Sequence, residues 1–212
     1  MKNEKTLIVI SVISVILLFA LGAYYYKNLS NFTQSTSKET LLIKPYSFKI
    51  GSDDAKVKLV EFFDPACGTC AQFYPFVKEI MKKHPEQIQL ILRYAPFHEN
   101  SDEVVKIIEA SREQNLYLET LEFFFATQRY WINNHVVDKQ AVWKLLENFW
   151  IDVSKLKADV QSEKITHLIK EDLEDAKALH VNKTPSYFVN GRALEKFGYQ
   201  ELVDLIEEEL KK

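Results

Sequence analysis

The run Val-Lys-Leu-Val-Glu-Phe-Phe at positions 57–63 leaves the chain few folds to choose from. Its β-branched and aromatic content reads as a core strand, entered from the turn-forming Gly51-Ser52-Asp53-Asp54 and left through Asp64-Pro65. A short strand over Tyr46–Ile50 is expected before it. A helix is predicted from about Cys67 to His84, where Pro85 closes it. Ile88–Arg93 reads as a second core strand. Strand, helix and strand within about 40 residues make a βαβ unit, whose two strands are parallel.

Beyond that unit the periodicity changes. From Ser101 to about His180 no segment alternates as a strand does. Apolar residues instead recur at helical spacing: Val104, Ile107, Ile108 and Leu116; Leu118, Leu121, Phe124 and Phe125; Val142, Leu145, Leu146 and Phe149; Ile165, Leu168, Ile169 and Leu173. Strand character returns at Tyr187-Phe188-Val189, turns at Asn190-Gly191 and continues through Arg192-Ala193-Leu194 as a hairpin. An amphipathic helix over Tyr199–Leu210 ends the pattern. The expected class is α/β with a helical insertion at about residues 99–180.

The 212 residues are not evenly distributed in character. No charged residue occurs from Thr6 to Tyr26, and a helix of that length spans the roughly 30 Å of a bilayer core. We expect a transmembrane anchor over residues 7–26 behind a cytoplasmic tail of residues 1–6. Lys2 and Lys5 precede the anchor, so the rest of the chain is expected on the far side. A cleaved signal peptide is the alternative, although Leu21 stands where a small residue is wanted. Residues 27–43, rich in Ser, Thr, Asn and Gln, read as a linker, leaving one domain over 44–212. The net charge of −3 gives no electrostatic grip on nucleic acid, so none is expected as a partner.

Both cysteines of the chain fall in Cys67-Gly68-Thr69-Cys70, where the first core strand gives way to the helix. A thiol at a helix amino terminus faces unpaired backbone N–H groups and the positive end of the dipole, which favour its thiolate. Cys67 is therefore the candidate nucleophile. Cys70, one turn on, is placed to resolve a mixed disulfide formed at Cys67. A structural disulfide or half of a metal site are the other readings. A four-ligand zinc site would lack its second cysteine pair, and no histidine lies within thirteen residues of Cys67. His98, after the second core strand, reads as a surface histidine or one at a helix start, with a place bordering the active-site face as the alternative. Phe123, Phe124, Phe125, Tyr130 and Trp131 read as core of the insertion.

Several motifs in order give the chain a resemblance to the DsbA-like thiol:disulfide oxidoreductases of the thioredoxin-fold superfamily. These are Gly51-Ser52-Asp53-Asp54-Ala55, Val60-Glu61-Phe62-Phe63-Asp64 leading into the Cys-x-x-Cys, Pro75 five residues after Cys70, and Thr184-Pro185-Ser186-Tyr187-Phe188-Val189-Asn190-Gly191-Arg192. The resemblance runs from about Tyr46 to Leu210 and implies a thioredoxin-like fold with an inserted helical domain. It implies that Pro185 is a cis-proline lying against the cysteines and that Thr184 tunes the thiolate. It also implies that Glu61 is a buried acid assisting proton transfer at Cys70. No cofactor or metal is implied beyond the redox-active Cys67–Cys70 pair.

The dipeptide Gly68-Thr69 departs from the Pro-His of the best-known relatives and supplies no imidazole to the Cys67 thiolate. That implies a lower reduction potential than the strongest oxidants have. The expected activity is exchange of disulfides with unfolded or reduced exported proteins, as donor. The expected setting is a bacterial cell membrane with the catalytic domain outside the cytoplasm, in periplasm or at the cell exterior. A membrane redox partner would recharge the pair, and the protein is expected to be a monomer. Reduction or isomerisation of misformed disulfides is the alternative within the same chemistry. A copper-binding or peptide-binding chaperone is the alternative outside it.

Overall fold

The structure is a computed structural model in which residues 17–27 and 39–212 are described. The chain divides into two units, residues 1–40 and 41–212. In the first, residues 17–27 are helical, with Leu17, Leu18, Phe19 and Leu21 exposed. No helix among the described residues is long and apolar enough to cross a membrane. The tail at 1–6, the anchor up to residue 16 and the linker over 28–38 lie outside the described residues.

The second unit is built on a five-stranded sheet. Its strands are β1 (Phe48–Ile50), β2 (Val57–Phe63), β3 (Ile88–Tyr94), β6 (Ser186–Val189) and β7 (Arg192–Ala193), in the order β1-β3-β2-β6-β7. β2 and β3 pair in parallel from Val57↔Ile88 to Phe63↔Tyr94, and every other pairing is antiparallel. The parallel pair is joined by helix α1 (Gly68–Lys83), as the βαβ reading requires. Gly51 turns the chain into β2 at φ +101°, and a Cβ there would meet Ile88 O at 2.6 Å, so only glycine fits.

Side-chain parity sorts β2 and β3 between two cores. Val57, Leu59 and Phe63 face the larger core with Leu90, Leu92 and Tyr94, against Cys70, Phe73, Val77 and Ile80 of α1. Val60, Phe62 and Ile91 face the smaller one with Leu42, Ala176 and Val181. At roughly 1.5–3 kcal/mol for each fully buried aliphatic or aromatic side chain, this two-sided burial fixes the register, because a one-residue slip would exchange the faces. Glu61 shares the parity of Leu59 and Phe63. It therefore points toward α1 and not toward water.

Between β3 and β6 the chain forms α2 (Ser101–Ala110), α3 (Tyr117–Thr127), α4 (Lys139–Leu146), α5 (Val153–Asp159) and α6 (Glu163–Ala178), with 3₁₀ turns at Ser111–Gln114 and Gln128–Tyr130. Leu116 stands just before α3 and Phe149 beyond α4, not inside helices as their spacing suggested. A hairpin of β4 (Ile132–Asn133) and β5 (Val136–Val137) also interrupts the expected helical block. Its two turn residues, Asn134 and His135, both have positive φ, at 48° and 65°. An Asn-His turn lacks the glycine that announces such hairpins in sequence, and the strands are two residues long. Among the aromatic residues, Phe124 and Trp131 are buried core, whereas Tyr130 is 56% exposed beneath the Arg129 guanidinium.

The last helix of this block belongs to the sheet as much as to the other helices. Arg93 of β3 is fully buried on the smaller-core face and donates to Asp172 and Asp175 of α6 and to Leu41 O. Asp172 also accepts from Tyr94 N and the Tyr46 hydroxyl, and Lys44 bridges Asp175 and Glu171. A buried guanidinium is tolerable only because each charge meets several partners. α7 (Tyr199–Lys211) closes the fold, burying Leu202 and Ile206.

Candidate active site

Cys67 is the N-cap of α1, with extended dihedrals of −80° and 116°. Its Sγ accepts from Cys70 N at 3.4 Å, the place a capping oxygen takes in other helices. Its thiol also donates to Thr184 O at 3.2 Å, across the cis Thr184–Pro185 bond from β6. Cys67 and Cys70 are both free thiols and both buried, Cys70 completely.

The two thiols differ in acidity because they differ in surroundings. Hydrogen bonding from the Cys70 side chain first, then from the Thr184 side chain and the backbone N–H groups of Cys70 and Thr69, pulls the Cys67 pKa down to about 6, against the opposing cost of burial. Burial pushes Cys70 well above the ordinary thiol range, reinforced by its bond to Cys67 and by the charge of Glu61. One cysteine is thus a thiolate at neutral pH and the other a protonated thiol.

Glu61 is 1% exposed, and burial raises its pKa to about 8. The Tyr187 hydroxyl, directly across in the β2–β6 register, moderates that rise, and the Cys67 thiolate adds to it. Neither Glu61 oxygen nor the Tyr187 hydroxyl makes a well-formed hydrogen bond. A carboxyl in this state can give or take a proton near neutrality.

Three further residues carry the site, and Gln128 alone among them escapes a reading of the sequence. Asp64, fully buried, accepts from Ala66 N at 2.8 Å through Oδ1 and from Phe97 N, His98 N and His98 Nδ1 through Oδ2. Because a carboxylate only accepts, the His98 proton sits on Nδ1. His98 does precede helix α2, but it is pinned to the cysteine loop. Gln128, from the 3₁₀ turn after α3, donates from Nε2 to Pro65 O at 2.8 Å and Cys67 O at 3.1 Å. The signals for Asp64 are its place before Pro65 and its position in the Val60–Asp64 motif that leads into the cysteines. Gln128 has none, since its partners lie about sixty residues away. A Cβ at Gly68 would meet nothing closer than Gln128 Oε1 at 4.0 Å, so no steric demand imposes glycine there. Thr69 follows it in the first turn of α1, with its N–H toward Cys67.

A family model described as "Thioredoxin" matches residues 44–208. The chain is 27% identical to "Probable disulfide bond formation protein D" of Bacillus anthracis, with both chains covered completely. It is 26% identical over 68% of its length to the Na(+)/H(+) antiporter NhaA of Herminiimonas arsenicoxydans, of whose length it spans only 22%. In structure it resembles α-DsbA1 of Wolbachia pipientis, with a TM-score of 0.70, 18% identity, and 82% and 96% of the two chains covered. With the matched family spanning nearly all of the second unit and the cysteine pair at the head of α1, the chain belongs to the thioredoxin family and carries a DsbA-like thioredoxin fold.

Proposed function

We propose that the protein donates disulfides to exported, reduced polypeptides from the outer side of a bacterial cell membrane, tethered as a monomer by the apolar segment before the domain. The observation that carries this reading is the divided acidity of one buried pair: Cys67 near 6 and Cys70 held protonated beside Glu61. A substrate thiolate attacks Cys67 Sγ of the Cys67–Cys70 disulfide, forming a mixed disulfide. Cys70 leaves, and the protonated Glu61 supplies the proton it retains. A second substrate thiolate attacks the substrate sulfur, forms the substrate disulfide and releases Cys67 as thiolate. Two electrons pass to the protein, and a membrane redox partner removes them. No bound cofactor enters.

The stabilised Cys67 thiolate favours the reduced protein and so the donor direction. A pKa near 6 lies between those of thioredoxin, about 7, and DsbA, about 3.5, which places the expected potential between about −270 and −120 mV. The apolar run from Thr6 to Tyr26 supports the tether, and the name of the Bacillus anthracis relative supports disulfide formation. Oxidative refolding of reduced ribonuclease and insulin reduction by the purified domain test the proposal. The domain is expected to accelerate the first more than the second, and Cys67→Ser to abolish both. Equal activity of Cys67→Ser and wild type would refute it, while dominance of insulin reduction would reverse the direction.

A further inference from the structure

The backbone of the cysteine loop is held from two sides. Asp64 Oδ1 takes the Ala66 N–H and Gln128 Nε2 takes the Pro65 carbonyl, so the single peptide group between Pro65 and Ala66 is gripped at both ends. Cys67 N donates to Asp64 O at 2.9 Å, and Cys67 O accepts from Gln128 as well as from Ala71 N. Gln128 is the one side chain of the helical insertion in this set. It reaches the loop from a 3₁₀ turn beside the exposed Tyr130, while Cys67 itself is 7% exposed.

Resting on the reading of Cys67 as nucleophile, we propose that Gln128 is a positioning residue for the reaction, setting the acidity of Cys67 through the carbonyls of Pro65 and Cys67. The physical reason is local. A carbonyl oxygen on the thiolate's own residue carries partial negative charge, and a donor bound to it lowers the repulsion that the developing anion meets. The same bond holds the first turn of α1 in place, so that the N–H groups of Thr69 and Cys70 stay aimed at Sγ. Its amide thus acts on the thiolate without touching it. The helical insertion thereby contributes to the chemistry, and anything displacing the turn at Gln128–Tyr130 changes the reactivity of the pair.

Gln128→Met keeps the bulk and removes the donor; Gln128→Glu keeps the shape and presents oxygen to oxygen. The readout is the midpoint of the pH profile for alkylation of Cys67 by iodoacetamide in the reduced protein, which requires no substrate turnover. We expect the midpoint to rise by roughly half to one pKa unit in the Met variant and further in the Glu variant. Thermal unfolding of both variants is measured in parallel. Unchanged midpoints together with a lowered melting temperature would make Gln128 merely structural and overturn the proposal. In the wild-type protein, the side-chain amide resonance of Gln128 is expected to titrate with the midpoint of Cys67, and a resonance that does not move would overturn it as well. Absence of exchange activity in wild type, with these shifts intact, would instead count against the proposed function alone.

Discussion

Replacing Glu61 by glutamine removes one ionisation from the protein and changes little else in shape. Burial raises the Glu61 pKa from an ordinary value near 4.5 to about 8. A carboxyl raised in this way favours the fold fully below the unfolded pKa. That contribution is lost as pH climbs toward the folded value, because the unfolded chain ionises first. At about 1.36 kcal/mol per unit, the loss between pH 4.5 and 8 is on the order of 5 kcal/mol. In the reduced protein Cys67 acts in the opposite sense: its lowered pKa adds stability as pH rises from about 6 toward the ordinary thiol value of 9. Because Glu61 and the Cys67 thiolate interact, the comparison is made in a Cys67→Ser background, where the difference between the urea-denaturation curves with and without Glu61→Gln isolates Glu61. The difference is expected to shrink or reverse steadily from pH 4.5 to 8 and to stay level above 8. Resolution of a mixed disulfide on Cys67 is expected to slow on the order of 10²-fold in Glu61→Gln with Cys67 intact, because Cys70 loses its proton relay. Parallel stability curves, or exchange rates unchanged across pH 5 to 9, would refute the reasoning.

Two further substitutions test separate parts of the account. Thr69→His places an imidazole in the first turn of α1; we expect the Cys67 pKa to fall below 6 and the potential to rise by about 30 mV per unit of that fall, measured against glutathione. Arg93→Met leaves the buried carboxylates of Asp172 and Asp175 without their guanidinium and is expected to cost about 3–5 kcal/mol in urea denaturation. Because Arg93 lies on the opposite sheet face from Cys70, the folded fraction of that variant should alkylate at Cys67 with the wild-type pH midpoint.

What could be read from the sequence was whatever is local or periodic. The β-branched and aromatic content of Val57–Phe63 pointed to the strand, and the resemblance to the DsbA-like family implied that Glu61 is buried in it. The Cys-x-x-Cys at a strand-to-helix junction pointed to a capping thiol, and Cys67 occupies that position with its Sγ on Cys70 N. The contacts that hold the site are not of this kind. Asp64 meets the loop after β3 about thirty residues on, and Gln128 reaches back across the whole of α1, β3, α2 and α3. A lone polar residue after a helix carries no periodic signal, and its partner is a carbonyl that every residue possesses. The β4–β5 hairpin is silent in the sequence for a related reason, since Asn134-His135 adopts left-handed dihedrals without a glycine.

The central claim is that Cys67, not Cys70, exchanges with substrate as a thiolate formed near pH 6. The direct measurement is mass spectrometry of reduced Cys70→Ser and Cys67→Ser variants, each mixed with a disulfide-bonded peptide over pH 4 to 9. The account predicts a stable mixed disulfide on Cys67 in the first variant, forming with a midpoint near pH 6, and none in the second. Adducts on Cys70 at a comparable rate, or a Cys67 midpoint near the ordinary thiol value of 9, would contradict it.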